Sequence, residues 1–280
     1  MRNKDGDTIV RLLEHARYEV LPTPTIEEKL VASVPTDVQV TVTASPNKGL
    51  EQTFELAERL IGHGYDVVPH LAARMISGKA ELAEIVERLT GVGVSTVFVP
   101  GGDADPVGDY HDSVALLEDL AALGSPFRQV GIAGYPESHP AIADDVTIQA
   151  MWDKRRHATQ VVSNLTFDPK AITDWLKRMR TRGISMPLLV GLPGPVDRAK
   201  LLSMATKIGV GDSTRFLAKH KGFMARLAAP GGFTGERFLV KCAPSFGAPG
   251  ALVEGLHLYT FNQVAETEQW RQEFLDRLRD

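Results

Sequence analysis

A single cysteine, Cys242, in a chain of 280 residues leaves no internal disulfide framework and no cysteine-based zinc site. A reducing cytoplasm is the expected setting. Apolar runs of the ~18 residues needed for a membrane helix are absent, and the opening MRNKDGDTIVRLLEHARYEV holds no apolar stretch of signal-peptide length. The expectation is a soluble, unprocessed protein with no membrane partner. Charge of one sign is lacking too: 31 Lys and Arg stand against 35 Asp and Glu, for a net charge of −4, which gives no basic footprint for nucleic acid. Small molecules are the expected partners.

Ready-made motifs are also scarce. His15, His63, His111 and His220 share no spacing, and no HExxH pair occurs, so no metal site is expected. GVGVST lacks the lysine of a phosphate loop and precedes a strand instead of opening a helix. No glycine fingerprint for a dinucleotide is present either.

What the sequence does hold is order. Short Val- and Ile-rich runs recur in RYEVLP, DVQVTVT, DVVPHLA, STVFVPG, RQVGIAG, QVVSNLTF, MPLLVGL and EGLHLYTF. Between most of them lie stretches of helical period, such as LEQTFELAERLIGHG, KAELAEIVERLTGVG and PKAITDWLKRMRTRG, each closing on glycine. Eight alternating units predict parallel strands in one α/β domain over residues 1–280, a (β/α)8 TIM barrel. The interval 197–252 fits least well. DRAKLLSMATKIGVGDSTRFLAKHKGFM reads as two extra helices between strands seven and eight, and AAPGGFTGERFLVKCAPSFGAPG reads as loop.

In such a barrel the chemistry sits at the C-terminal ends of the strands. Glu19 falls inside the first strand, Thr41 and Thr43 end the second, and His70 ends the third. Asp103 follows the fourth, Tyr135 and His139 follow the fifth in GYPESHP, and Asn164 lies in the sixth. A carboxylate buried without a partner is pushed towards the general-acid range, which makes Glu19 the leading catalytic acid. Plainer roles stand beside these. A register shifted by one residue would turn Glu19 outward, His70 would also serve as a core histidine, and Asp103 in PGGDADP as a turn aspartate.

The ordered set YEVLPTP, VTVTA, PHLAAR, GGD, AGYPESHP, SNLTFD, LLVGLPG and LHLYTFN resembles the methylenetetrahydrofolate reductase family, in register from about residue 17 to 262. The resemblance implies reduction of 5,10-methylenetetrahydrofolate to the 5-methyl form with NADH or NADPH. Glu19 would deliver a proton to nitrogen as the five-membered ring opens. Asp103, a catalytic residue by the same resemblance, would bind the amino-pyrimidine edge of the pterin, with Asn164 and Tyr135 as further substrate contacts. Thr41, His70, Tyr135, His139, Lys154 and Arg155 match positions that hold a flavin.

Several flavin features are altered. Gly101 replaces an arginine, ASPNKG replaces a glycine-rich turn, and DKRRHATQ lacks an Asp-Ala-Gly. FAD is therefore expected to bind weakly or not at all, with hydride passing directly from nicotinamide to folate. Two rival readings use the same pocket: oxidation of methyl-tetrahydrofolate in a demethylation pathway, and a folate-binding barrel without turnover.

Overall fold

The eight apolar runs form eight strands: β1 (Ala16–Val20), β2 (Gln39–Val42), β3 (Val67–Pro69), β4 (Thr96–Phe98), β5 (Gln129–Gly134), β6 (Gln160–Ser163), β7 (Leu188–Pro193) and β8 (Val253–Tyr259). These come from a computed structural model that describes residues 4–45, 49–102, 104–138, 142–195 and 234–280. Every strand pair is parallel, in the order β3-β2-β1-β8-β7-β6-β5-β4. The two ends of that order meet at one bridge, His70 with Phe98, beside a bond from the Leu71 N–H to the Phe98 carbonyl at 2.8 Å. The result is a nearly closed (β/α)8 barrel.

Parallel neighbours need long return connections, and helices supply them. Among the described residues these are α1 (Lys4–Glu14), α2 (Ile26–Ser33), α3 (Glu51–Gly62), α4 (Lys79–Gly91), α5 (Ser113–Ala122), α6 (Asp144–Lys154), α7 (Pro169–Thr181), α8 (Gly235–Phe246) and α9 (Val264–Arg279). The physics of α7 is representative. Asp168 caps it by accepting the Lys170 N–H at 2.8 Å, Pro169 opens its first turn, and Ile172, Trp175, Leu176 and Met179 form one buried stripe. Gly183 then takes φ +79, the left-handed conformation that ends the helix.

The segment GERFLVKCAPSF, expected as loop, is helix α8. Its Phe238, Leu239, Cys242, Ala243 and Phe246 are all buried, a helical stripe that outweighs Pro244 near its end. The two helices expected between residues 197 and 224 lie outside the described residues.

Alternation along β1 decides which side chains enter the barrel. Tyr18 points outward to α9, where its hydroxyl donates to Glu268, itself paired with Arg271. Its neighbours Arg17 and Glu19 therefore face the barrel axis. Arg17 donates to Gln39 on β2 and, across the barrel, to Gln160 on β6 at 3.0 Å. Glu19 lies one level nearer the C-terminal mouth, in register with Thr41 and Tyr259.

Candidate active site

Glu19 is the carboxylate that β1 carries to the mouth, and β8 with the loop after it grips it from one side. His257 Nε2 lies 3.0 Å from Glu19 Oε2. The hydroxyl of Thr260 donates to the Glu19 carbonyl at 2.6 Å. Two residues on, Asn262 holds Leu21 by both backbone groups and also donates to Thr23 Oγ1. Asn262 sits at φ +60, which asparagine tolerates better than most side chains, and this directs its amide back to the β1 loop.

His70 approaches from the other side. Its Nε2 is 3.7 Å from Glu19 Oε2, too far for a hydrogen bond, and this nitrogen is buried with no hydrogen-bond partner among the described residues. Burial, with help from the nearby His257 and Arg17, moves its pKa down to about 4 against the opposing pull of Glu19. His70 is therefore neutral at ordinary pH and makes no ion pair with Glu19. Its ring tilts against Phe98 at a centroid distance of 4.7 Å.

Polar groups continue around the rim. Thr41 and Thr43 bring buried hydroxyls that bond to no protein group among the described residues. Tyr259 donates to the Ser163 carbonyl at 3.2 Å, and burial, reinforced by Glu19 and Tyr135, keeps its hydroxyl well above the usual pKa. Tyr135, the residue just after β5, is thus within electrostatic reach of Tyr259. Asn164, expected within the sixth strand, is the residue just after β6; its N–H donates to the Gly134 carbonyl and its Oδ1 accepts the Leu165 N–H.

The GYPESHP segment has a further role for its carboxylate. Glu137 Oε1 accepts the N–H groups of Phe167 and Asp168 and the hydroxyl of Thr166, joining the loop after β5 to the loop after β6. Asp103 and His139 lie outside the described residues. Lys154 closes α6, and its amine, lowered in pKa by burial, is within the influence of Asp112 and Asp153. Arg155 stacks over the Trp152 ring at 3.5 Å and donates to the Trp152 carbonyl.

So the fold brings Glu19, Thr41, His70 and Tyr135 to one mouth, with Asn164 at its edge. Sequence reading missed His257, Tyr259, Thr260 and Asn262, although all four lie within or beside the LHLYTFN segment. Alternation in that run puts His257 and Tyr259 on one face, and barrel closure puts that face beside Glu19. Among the described residues no group of three His, Cys, Asp or Glu side chains is arranged to hold a metal ion, and no helix is long and apolar enough to cross a membrane.

A profile of the family described as methylenetetrahydrofolate reductase matches residues 25–273. Among solved structures, a protein described as a lyase/mutase from Burkholderia cenocepacia J2315 superposes with a TM-score of 0.52 at 13% identity, covering 96% of this chain and 86% of that one. A 2,3-dimethylmalate lyase of the PEP mutase/isocitrate lyase superfamily gives a TM-score of 0.47 at 13% identity, with 86% and 95% covered. At that identity the first likeness speaks to the barrel fold alone.

Proposed function

From the membership of this chain in the methylenetetrahydrofolate reductase family, we propose that it reduces 5,10-methylenetetrahydrofolate to 5-methyltetrahydrofolate, taking hydride from NADH or NADPH. The observation that carries this reading is Glu19, an inward-facing carboxylate at the mouth, contacted by His257 and anchored through its backbone carbonyl by Thr260. A folate-binding barrel without turnover has no use for an acid held in this way.

The chemistry divides into two events. Glu19 gives its proton to the ring nitrogen as the carbon–nitrogen bond breaks, leaving an iminium. Hydride from the nicotinamide then adds to the iminium carbon and makes the methyl group. An iminium accepts hydride readily, so the protein's task is to hold both molecules together in a dry site. Asp103 binds the amino-pyrimidine edge of the pterin, with Asn164 and Tyr135 as further contacts, and Thr41, His70 and His139, which match flavin-holding positions by the family resemblance, are assigned to the nicotinamide in the flavin's place.

A flavin dinucleotide fits these residues poorly. Its phosphates need fixed cations, whereas Arg155 is stacked on Trp152 and the amine of Lys154 is buried within the electrostatic reach of Asp112 and Asp153. A Cβ added at Gly101 would meet nothing within 4 Å, so the absence of a side chain there is not forced by crowding at the backbone. Hydride transfer in this proposal is therefore direct.

The test is the purified protein, without added flavin, given 5,10-methylenetetrahydrofolate and NADH or NADPH. Oxidation of the nicotinamide with formation of 5-methyltetrahydrofolate by a colourless protein is expected. A yellow protein holding about one flavin, or turnover only when FAD is supplied, would overturn direct transfer. No turnover under either condition would overturn the reductase reading.

A further inference from the structure

Two imidazoles crowd one oxygen of Glu19. His257 Nε2 lies 3.0 Å from Oε2 and His70 Nε2 lies 3.7 Å from the same atom, while Oε1 takes part in neither contact. A hydrogen bond between an imidazole nitrogen and a carboxyl oxygen needs one hydrogen between them. With that hydrogen on Nε2, Oε2 is an acceptor whether Glu19 is ionised or protonated. The hydroxyl oxygen of a protonated carboxyl is the poorer acceptor, so this hydrogen bond favours Oε2 as the carbonyl oxygen and Oε1 as the one that carries the proton.

The other side of the ring selects this tautomer. The Nδ1 atom of His257 is buried and bonds to no group among the described residues. A hydrogen on Nδ1 would be an orphaned donor, whereas a hydrogen on Nε2 has Glu19 Oε2 as its acceptor at 3.0 Å.

We propose that His257 is a positioning residue which, as its Nε2–H tautomer, reserves Oε2 as an acceptor and confines the transferable proton of Glu19 to Oε1, the oxygen free to meet substrate. The inference rests on the reading of Glu19 as the acid. In each turnover the Oε1–H bond breaks as a nitrogen–hydrogen bond forms on the folate, and the electron pair stays on the carboxylate. The bond from His257 to Oε2 persists throughout, so the imidazole neither gains nor loses a proton. Oε1 is reprotonated from solvent, since the Glu19 side chain is 15% exposed and that of His257 only 2%.

The experiment compares the full chain with Glu19→Gln, His257→Leu and His257→Gln, using 5,10-methylenetetrahydrofolate and NADH, with folding checked by circular dichroism. His257→Leu is expected to lower kcat about 10- to 100-fold, to leave the folate KM within about threefold, and to enlarge the solvent deuterium isotope effect on kcat. His257→Gln keeps an amide donor able to reach Oε2 and is expected to recover about tenfold of that loss. A folded His257→Leu protein with kcat within about twofold of wild type, while Glu19→Gln is inactive, overturns the positioning role alone. So does a folded His257→Gln protein as impaired as His257→Leu. A Glu19→Gln protein with wild-type turnover removes the acid itself, and with it the reading on which the inference rests.

Discussion

The side chain of Asn262 closes on both polar groups of the Leu21 backbone: Oδ1 accepts the Leu21 N–H at 2.8 Å and Nδ2 donates to the Leu21 carbonyl at 2.9 Å. With Thr260 bonded to the Glu19 carbonyl, the loop after β8 fixes the exit of β1 on both sides of Val20. The reach of the Glu19 side chain is thereby set by residues about 240 positions away in sequence.

Asn262→Ala should both destabilise the fold and blunt the site. It strands two backbone groups of Leu21 and puts alanine at φ +60, for a combined loss of about 1–3 kcal/mol. Chemical denaturation measures the stability loss, and kcat should fall with it. An unchanged unfolding midpoint would show that the clamp contributes nothing.

Glu137→Ala removes the acceptor shared by Phe167, Asp168 and Thr166. Loosening of the loops after β5 and β6 should raise the folate KM, with a stability loss of about 1–2 kcal/mol. Steady-state kinetics and thermal unfolding of the same preparation separate the two effects.

Acid should weaken the fold through His70. Unfolded, this residue titrates near 6.5; folded, burial holds it at about 4. Between those values the unfolded chain binds a proton that the folded chain refuses, so stability falls as pH drops through the window, by up to roughly 3 kcal/mol, and the contribution levels off below it. Denaturation of wild type and His70→Gln at pH 7 and pH 5 tests this. The wild type should lose about 2 kcal/mol more than the variant between the two.

Asp103→Asn should weaken folate binding by about 1.5–3 kcal/mol, because a charge-assisted hydrogen bond to the pterin becomes a neutral one. Nicotinamide binding should hardly change. Parallel titrations with the two ligands provide the check, and equal losses for both would remove Asp103 from the pterin site.

Much of the barrel was legible because strand and helix periods alternate in the sequence, and Glu19 stood out as a carboxylate inside a β run. His257 was hidden for a geometric reason. Its importance depends on β8 lying beside β1, a neighbourhood created by closure of the barrel and invisible in local pattern. Glu137 drew no role from its place in GYPESHP, because its partners are backbone donors of a different loop. Helix α8 was obscured by Gly and Pro at its flanks, although its buried residues follow a helical spacing throughout.

The join between His70 and Phe98 gives the barrel a seam, and the seam runs through the pocket. Seven neighbouring strand pairs are laddered, while this one rests on a single bridge and the amide bonds beyond it. Thermal breathing of a cylinder starts where its staves are least joined. The amide of Leu71, bonded to Phe98, should therefore exchange with deuterated solvent sooner than those of β1, and a ligand seated across His70 should slow it, acting as a rivet for the wall as well as a reactant.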